Sequence, residues 1–177
     1  RNAFAYRVKA MMEYGRGDYT NGDSLMKKSL AIDSESAYEW FYLADRYFER
    51  GKGWYDKAID AFRKAIELEP RAFYAWGLAK ALFHAGKYSE ALEFIEEKEN
   101  TGESRTDITP LKIGIHLALG DSVKAAYEFK KGVAKDARHL SDNLNNISYR
   151  LEVDRQELEL AMQLIKLAIR SSPDSPY

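Results

Sequence analysis

Residues 54–70 read WYDKAIDAFRKAIELEP. The apolar positions Tyr55, Ala58, Ile59, Phe62, Ala65 and Ile66 fall at i, i+3, i+4, i+7, i+10 and i+11, one stripe of a 3.6-residue helix. Asp56, Lys57, Asp60, Arg63, Lys64 and Glu67 take the opposite face, and Pro70 stops the run. Small residues in a buried stripe predict that something comes very close at Ala58 and Ala65. A lone helix of this length is marginal in water, so it needs partners.

Self-similarity along the chain supplies them. Gly17, Gly51, Gly86 and Gly120 are separated by 34, 35 and 34 residues. Around each glycine an apolar helix, a turn and a second helix recur. The copies read YGRGDYTNGDSLMKKSLAID (14–33), FERGKGWYDKAIDAFRKAIELEP (48–70), FHAGKYSEALEFIEEKE (83–99) and LALGDSVKAAYEFKKGV (117–133). A fifth copy, NNISYRLEVDRQELELAMQLIKLAIRSSPDSP (145–176), lacks the glycine. Each copy is too small to bury its own apolar face, and stacking the copies builds a continuous core. Ser36 and Glu39 have capping-box spacing ahead of AYEWFYLADRYFER. Thr106 or Thr109 is a candidate cap for the helix that contains Pro110, and NTGES (100–104) reads as a loop.

The second copy resembles a tetratricopeptide repeat. Trp40, Leu43, Ala44 and Tyr47 match the family's first helix, Ala58 and Phe62 its second, and Pro70 its stop. It departs from the pattern at Ala44, where glycine is usual, and in the turn GKGW, which carries two extra residues. The other copies match in part, through Gly17, Tyr19 and Leu30; Leu78, Ala79, Gly86, Tyr88 and Ala91; Gly120, Ala125 and Phe129; and Ala161, Ile165, Ala168 and Pro173. The resemblance implies an all-α, right-handed α-solenoid of five antiparallel helix pairs, about ten helices. It implies one domain over 1–177 with repeats near 3–36, 37–71, 72–105, 106–140 and 141–175. The fifth copy is similar in style to bacterial members, and the chain reads as part of a longer protein.

Composition excludes several functions. Lys and Arg total 27 against 28 Asp and Glu, with no basic stripe, which disfavours nucleic acid. Cysteine is absent, removing thiol chemistry and cysteine-based zinc sites. No apolar run is long enough to span a membrane, and cytoplasmic and periplasmic locations are both compatible with the chain. His84, His116 and His139 fall in different repeats, no Walker or nucleophile-elbow motif occurs, and carboxylate pairs such as Glu96 and Glu97 lie on a polar face. The expectation is a non-enzyme with neither cofactor nor metal.

Aromatic residues are the more informative feature. In the resembled family the first helices line a concave groove. Carried over by register, the groove positions are Phe4, Arg7 and Met11; Tyr38, Phe41, Asp45 and Phe48; Phe73, Trp76, Lys80 and Phe83; and Asn145 and Tyr149. The rings among them either face a partner or pack between neighbouring first helices. Positions matching the family's carboxylate clamp are Arg7, Met11, Tyr42, Phe73 and Gly77, of which only one is basic, so that role is disfavoured. The expected function is a scaffold that binds a protein or peptide segment in the groove. The alternative is an architectural spacer or dimerisation module of a larger protein whose activity lies elsewhere. Leu158, Leu160, Met162, Leu164, Ile165, Leu167 and Ile169 surround most of the last helix. That helix therefore offers a surface for a further repeat or for homo-oligomerisation.

Overall fold

The computed structural model describes residues 2–101, 108–153 and 158–171. The described residues are α-helical apart from short connections. In order the helices are α1 (Ala3–Gly15), α2 (Tyr19–Leu30), α3 (Ala37–Glu49), α4 (Tyr55–Leu68), α5 (Ala72–His84), α6 (Tyr88–Asn100), α7 (Thr109–Ala118), α8 (Ser122–Val153) and α9 (Leu158–Ser171). Consecutive helices pack as hairpins, α1 on α2, α3 on α4, α7 on α8 and α8 on α9. The result is the helix-hairpin solenoid expected from the repeat. The chain divides into two compact units, Arg1–Ala81 and Leu82–Tyr177.

The repeat glycines make the hairpin turns. Gly17, Gly51, Gly86 and Gly120 have φ of 80°, 78°, 76° and 77°, a left-handed conformation that side-chain-bearing residues avoid. At three of them the next amide closes a six-residue loop onto the helix just ended. Asp18 N–H donates to Glu13 O (2.9 Å), Lys87 N–H to Leu82 O (2.9 Å) and Asp121 N–H to His116 O (2.8 Å). This is the Schellman stop, which satisfies carbonyls that a helix end leaves open. The longer GKGW turn uses a second left-handed glycine, Gly53. In the fifth copy residues 154–157, between α8 and α9, lie outside the described residues.

The opening stretch forms α4 with Tyr55, Ala58, Ile59, Phe62 and Ala65 all buried. Its helix ends at Leu68 because Glu69, ahead of Pro70, is forced to extended dihedrals (φ −150°, ψ 109°). Ala58 and Ala65 are fully buried, and two glycines also mark close approaches. A Cβ added to Gly77 would meet the Phe62 ring at 2.4 Å, and one added to Gly22 would meet Tyr14 at 2.5 Å.

Two capping expectations are corrected. Ser36 occupies the N-cap of α3 but makes no side-chain cap bond. Glu39 instead turns inward, is 2 % exposed and pairs with Arg7 of α1 (3.6 Å). Burial raises the Glu39 carboxyl above its ordinary range, a shift that the nearby Ser29 hydroxyl and Arg7 only partly offset. At α7, Ile108 rather than Thr109 holds the cap position, and Pro110 sits in the first turn where its missing N–H is harmless. The alternative cap Thr106, the stop Pro173 and positions 102–104 of the expected loop lie outside the described residues.

Helix α8 is two rods joined at Asp136, whose φ of −164° and ψ of 99° are extended. The Asp136 carboxylate accepts from the His139 amide (2.9 Å), so the joint residue caps the second rod. In α9, Leu160, Ala161, Leu164 and Ala168 are buried, while Met162 and Ile169 are exposed among Glu159, Lys166 and Arg170. The outer face of this helix is therefore mixed rather than apolar throughout.

Candidate interaction surface

Within the first unit, rings from α1, α3 and the start of α5 form a surface. Phe4, Tyr38 and Phe73 are 58 %, 45 % and 43 % exposed, one on each of these three helices. Arg7 lies between the first two, its guanidinium 5.0 Å from the Phe4 centroid and 5.8 Å from that of Tyr38. Phe41 meets Phe73 edge-on (5.0 Å) and also contacts Tyr74 (4.8 Å) and Phe62 (5.9 Å). Phe41 therefore supports Phe73 from beneath and belongs partly to the core. Phe48, Trp76 and Lys80 form a second cluster, with the Lys80 ammonium 5.1 Å from the Phe48 ring and 5.9 Å from Trp76. Asp45 is paired with Arg46, which also holds Glu49 and lies over Tyr42 (5.2 Å). Met11 is half-buried.

Positions in the second unit divide differently. Phe83 is fully buried, contrary to the groove position expected for it. It packs on His84 and Tyr88 and faces Gly114, where an added Cβ would meet its ring at 3.1 Å. Tyr149 is 67 % exposed, and Asn145 is half-buried. His84 and His116 are buried. Among the described residues no group of His, Asp and Glu could hold a metal ion, and no helix is long and apolar enough to cross a membrane.

Buried charge is concentrated in the second unit. Lys112 of α7 reaches Glu99 of α6 (3.0 Å) and Glu128 of α8 (3.1 Å). Burial disfavours its ammonium, yet these two carboxylates outweigh the loss and hold Lys112 above the ordinary lysine range. His116 on the same helix goes the other way, as burial lowers it below its ordinary value of 6.5.

A second concavity in the first unit was not read from the sequence. It lies between α2 and α4, with α3 as floor, and has a volume of about 790 Å³. Successive helical residues turn by about 100°, so Trp40, Leu43 and Tyr47 lie on the side of α3 opposite Tyr38, Phe41 and Asp45. Those three with Leu30 and Ala61 make the floor, and Lys27, Lys57 and Lys64 stand on the rim. Trp54 closes one end, stacked on Tyr47 (5.5 Å, 26°) with Arg50 at 4.3 Å and Lys57 at 4.1 Å from its ring. The signal in the sequence was the i, i+4, i+7 placement of Lys57, Ala61 and Lys64, which reads as a solvated face unless its neighbour in space is known.

Residues 47–71 match the family described as Tetratricopeptide repeat. A TPR repeat-containing protein of Methanocaldococcus jannaschii is 30% identical over 137 residues, or 76% of this chain. The chain spans about a quarter of that relative's length (24%). Among solved structures, YrrB, a TPR protein with an unusual peptide-binding site, superposes with a TM-score of 0.65 at 20% identity. The match covers 98% of this chain and 88% of YrrB. MamA superposes with a TM-score of 0.70 at 18% identity, over 97% of this chain and 92% of its own. Residues 47–71 are thus a tetratricopeptide repeat, and the recurring spacing, the glycine-turned hairpins and the superpositions give the described residues the helix-hairpin fold of tetratricopeptide-repeat proteins.

Proposed function

We propose that the chain is a non-catalytic scaffold whose first-helix surface captures a segment of another protein. The observation that supports this most is the row of exposed rings Phe4, Tyr38 and Phe73 on α1, α3 and α5, with Arg7 set between the first two. Large rings provide contact area at little entropic cost, and such residues dominate binding energy at interfaces. Arg7 gives the surface a polarity. Its guanidinium lies over the two rings and beside Glu39, so an incoming carboxylate or backbone carbonyl would compete with a buried acid rather than with water. Asp45 and Lys80 are further proposed contacts on this surface, and Asn145 and Tyr149 are proposed as a separate contact on the second unit.

Selection from a displayed random-peptide library tests this. Peptides enriched on the wild type should lose at least about tenfold in affinity on Phe4→Ala/Tyr38→Ala/Phe73→Ala, because exposed rings are removed without emptying the core. Helical circular dichroism should persist. Equal binding to the triple variant would sink the reading. Phe41→Ala is unsuitable for this test, since Phe41 also packs on Phe62 and Tyr74.

A further inference from the structure

We propose that the groove between α2 and α4 is a separate docking site for an acidic amphipathic helix of a partner protein. The proposal does not depend on the first-helix reading, because the two surfaces use opposite sides of α3. The floor is apolar and aromatic, with Leu30, Leu43 and Tyr47 buried against the hairpin and the Trp40 and Trp54 rings half-open to the groove. Such a floor rewards aliphatic side chains. Ala31 and Ala61, one from each wall, leave room for a backbone to come close, and a lining of two helices with small residues suits a helix laid in the groove.

The charge of the rim selects the partner. Two carboxylates lie near the groove, Asp23 and Asp60. Asp23 is already engaged by both Arg50 amino groups (2.8 and 2.5 Å) and by the Tyr14 hydroxyl (2.8 Å). That leaves Asp60, and Glu67 on Lys64, against Lys27, Lys57 and Lys64. Lys64 shares its ammonium with Glu67 (3.0 Å), while Lys27 and Lys57 stand exposed. The rim is therefore cationic over an apolar floor, although the chain as a whole carries a formal charge of −1. Glutamates flanking an aliphatic stripe would match both features at once, and a basic or neutral helix would match only the floor.

The test uses a labelled peptide of about 15 residues, long enough to form helix, with Leu at i, i+3, i+4 and i+7 and Glu between. It is titrated into the full chain carrying Trp76→Phe, so that Trp40 and Trp54 of the groove report binding alongside peptide anisotropy. Saturable binding is expected, weakening roughly tenfold when Glu is replaced by Gln or when salt is raised several-fold. Lys27→Glu/Lys57→Glu should weaken it by at least about tenfold, and Asp60→Lys should tighten it several-fold. The gain with Asp60→Lys cannot come from misfolding. Lys130→Glu/Arg170→Glu, on the rim of the smaller groove (about 300 Å³) of the second unit, should leave affinity unchanged. Equal affinity for the Gln peptide, indifference to the groove charges, sensitivity to the second-unit pair, or failure to bind would each overturn the proposal. So would concentration-dependent self-association lost on the same lysine reversals, since the occupant would then be a second copy of the chain.

Discussion

The two units are built from the same glycine-turned hairpin but filled by different chemistry. In the first, the core is a web of rings, with Tyr74, Phe62, Tyr14, Tyr47 and Tyr55 buried and all three tryptophans of the chain half-buried around them. Its buried polar residues are Ser29 and Glu39. In the second, aliphatic side chains such as Leu111, Ile113, Ile115, Leu144, Leu151 and Leu164 fill the core, and Lys112, His116 and Glu128 are buried with them. Backbone geometry at the turns is shared, while side-chain packing is not. The repeat thus specifies where helices stop and reverse, and leaves open how the space between them is filled. The 790 Å³ groove and the row of exposed rings Phe4, Tyr38 and Phe73 both fall in the first unit.

Removing charge from the second unit's core should produce the largest effect. Lys112→Ala leaves the buried Glu128 with only the exposed Lys131 (3.8 Å) and should cost about 3 kcal/mol, the lower end for a broken buried pair because Glu99 reaches solvent. Tryptophan fluorescence reports only the first unit, since Trp40, Trp54 and Trp76 all lie there, and circular dichroism reports every helix. A destabilised second unit should therefore shift the dichroism transition further than the fluorescence transition. Coincident shifts would mean that the units unfold as one body.

A matched pair of glycines gives the next contrast. Gly77→Ala drives a methyl into Phe62 at 2.4 Å and should cost about 1–3 kcal/mol. Gly114→Ala meets Phe83 at 3.1 Å, and the helix preference of alanine, up to about 1 kcal/mol, should leave it near neutral. Urea titrations of both variants would check this, and a reversed order would show that Phe83 is less free to shift than Phe62.

The smallest effect concerns pH. Burial holds the His116 imidazole below its unfolded value, so the unfolded chain binds the proton more readily. The stability this neutral histidine contributes is present above about pH 6.5 and is lost as pH falls below it. Asp121, Lys124, Lys112 and Glu128 surround the ring and are common to both forms. His116→Gln should flatten the dichroism-monitored stability profile between about pH 5 and pH 7. An unchanged slope would assign the dependence to another group.

The fold was legible because its signals are local. A glycine with positive φ, a proline after α4 and an apolar stripe of period 3.6 each act within one hairpin, and the glycine turn recurs every 34 or 35 residues. The candidate surfaces were legible only in part. Phe4, Tyr38 and Phe73 are exposed where family register maps first-helix positions outward. Phe83, in the same register, is buried because Gly114 lets α7 close over it. Glu39 has capping-box spacing but pairs with Arg7, a choice decided by a neighbouring hairpin. The groove between α2 and α4 joins residues some thirty positions apart, and no pattern within either helix announces it.

The joint at Asp136 bears on how this chain tolerates insertions and deletions. The turns at Gly17, Gly51, Gly86 and Gly120 have irregular residues that can absorb an added one. Asp136 is a single extended residue between two helical rods, with its own side chain capping the second. A residue inserted into the rod that follows would rotate the downstream side chains by about 100° and advance them by about 1.5 Å. Ser141, whose hydroxyl donates to the Ala168 carbonyl (3.0 Å), would lose its alignment with α9. Length variation should therefore be accepted at the glycine turns and rejected between Asp136 and Ser141, where it would rotate the hydroxyl off α9.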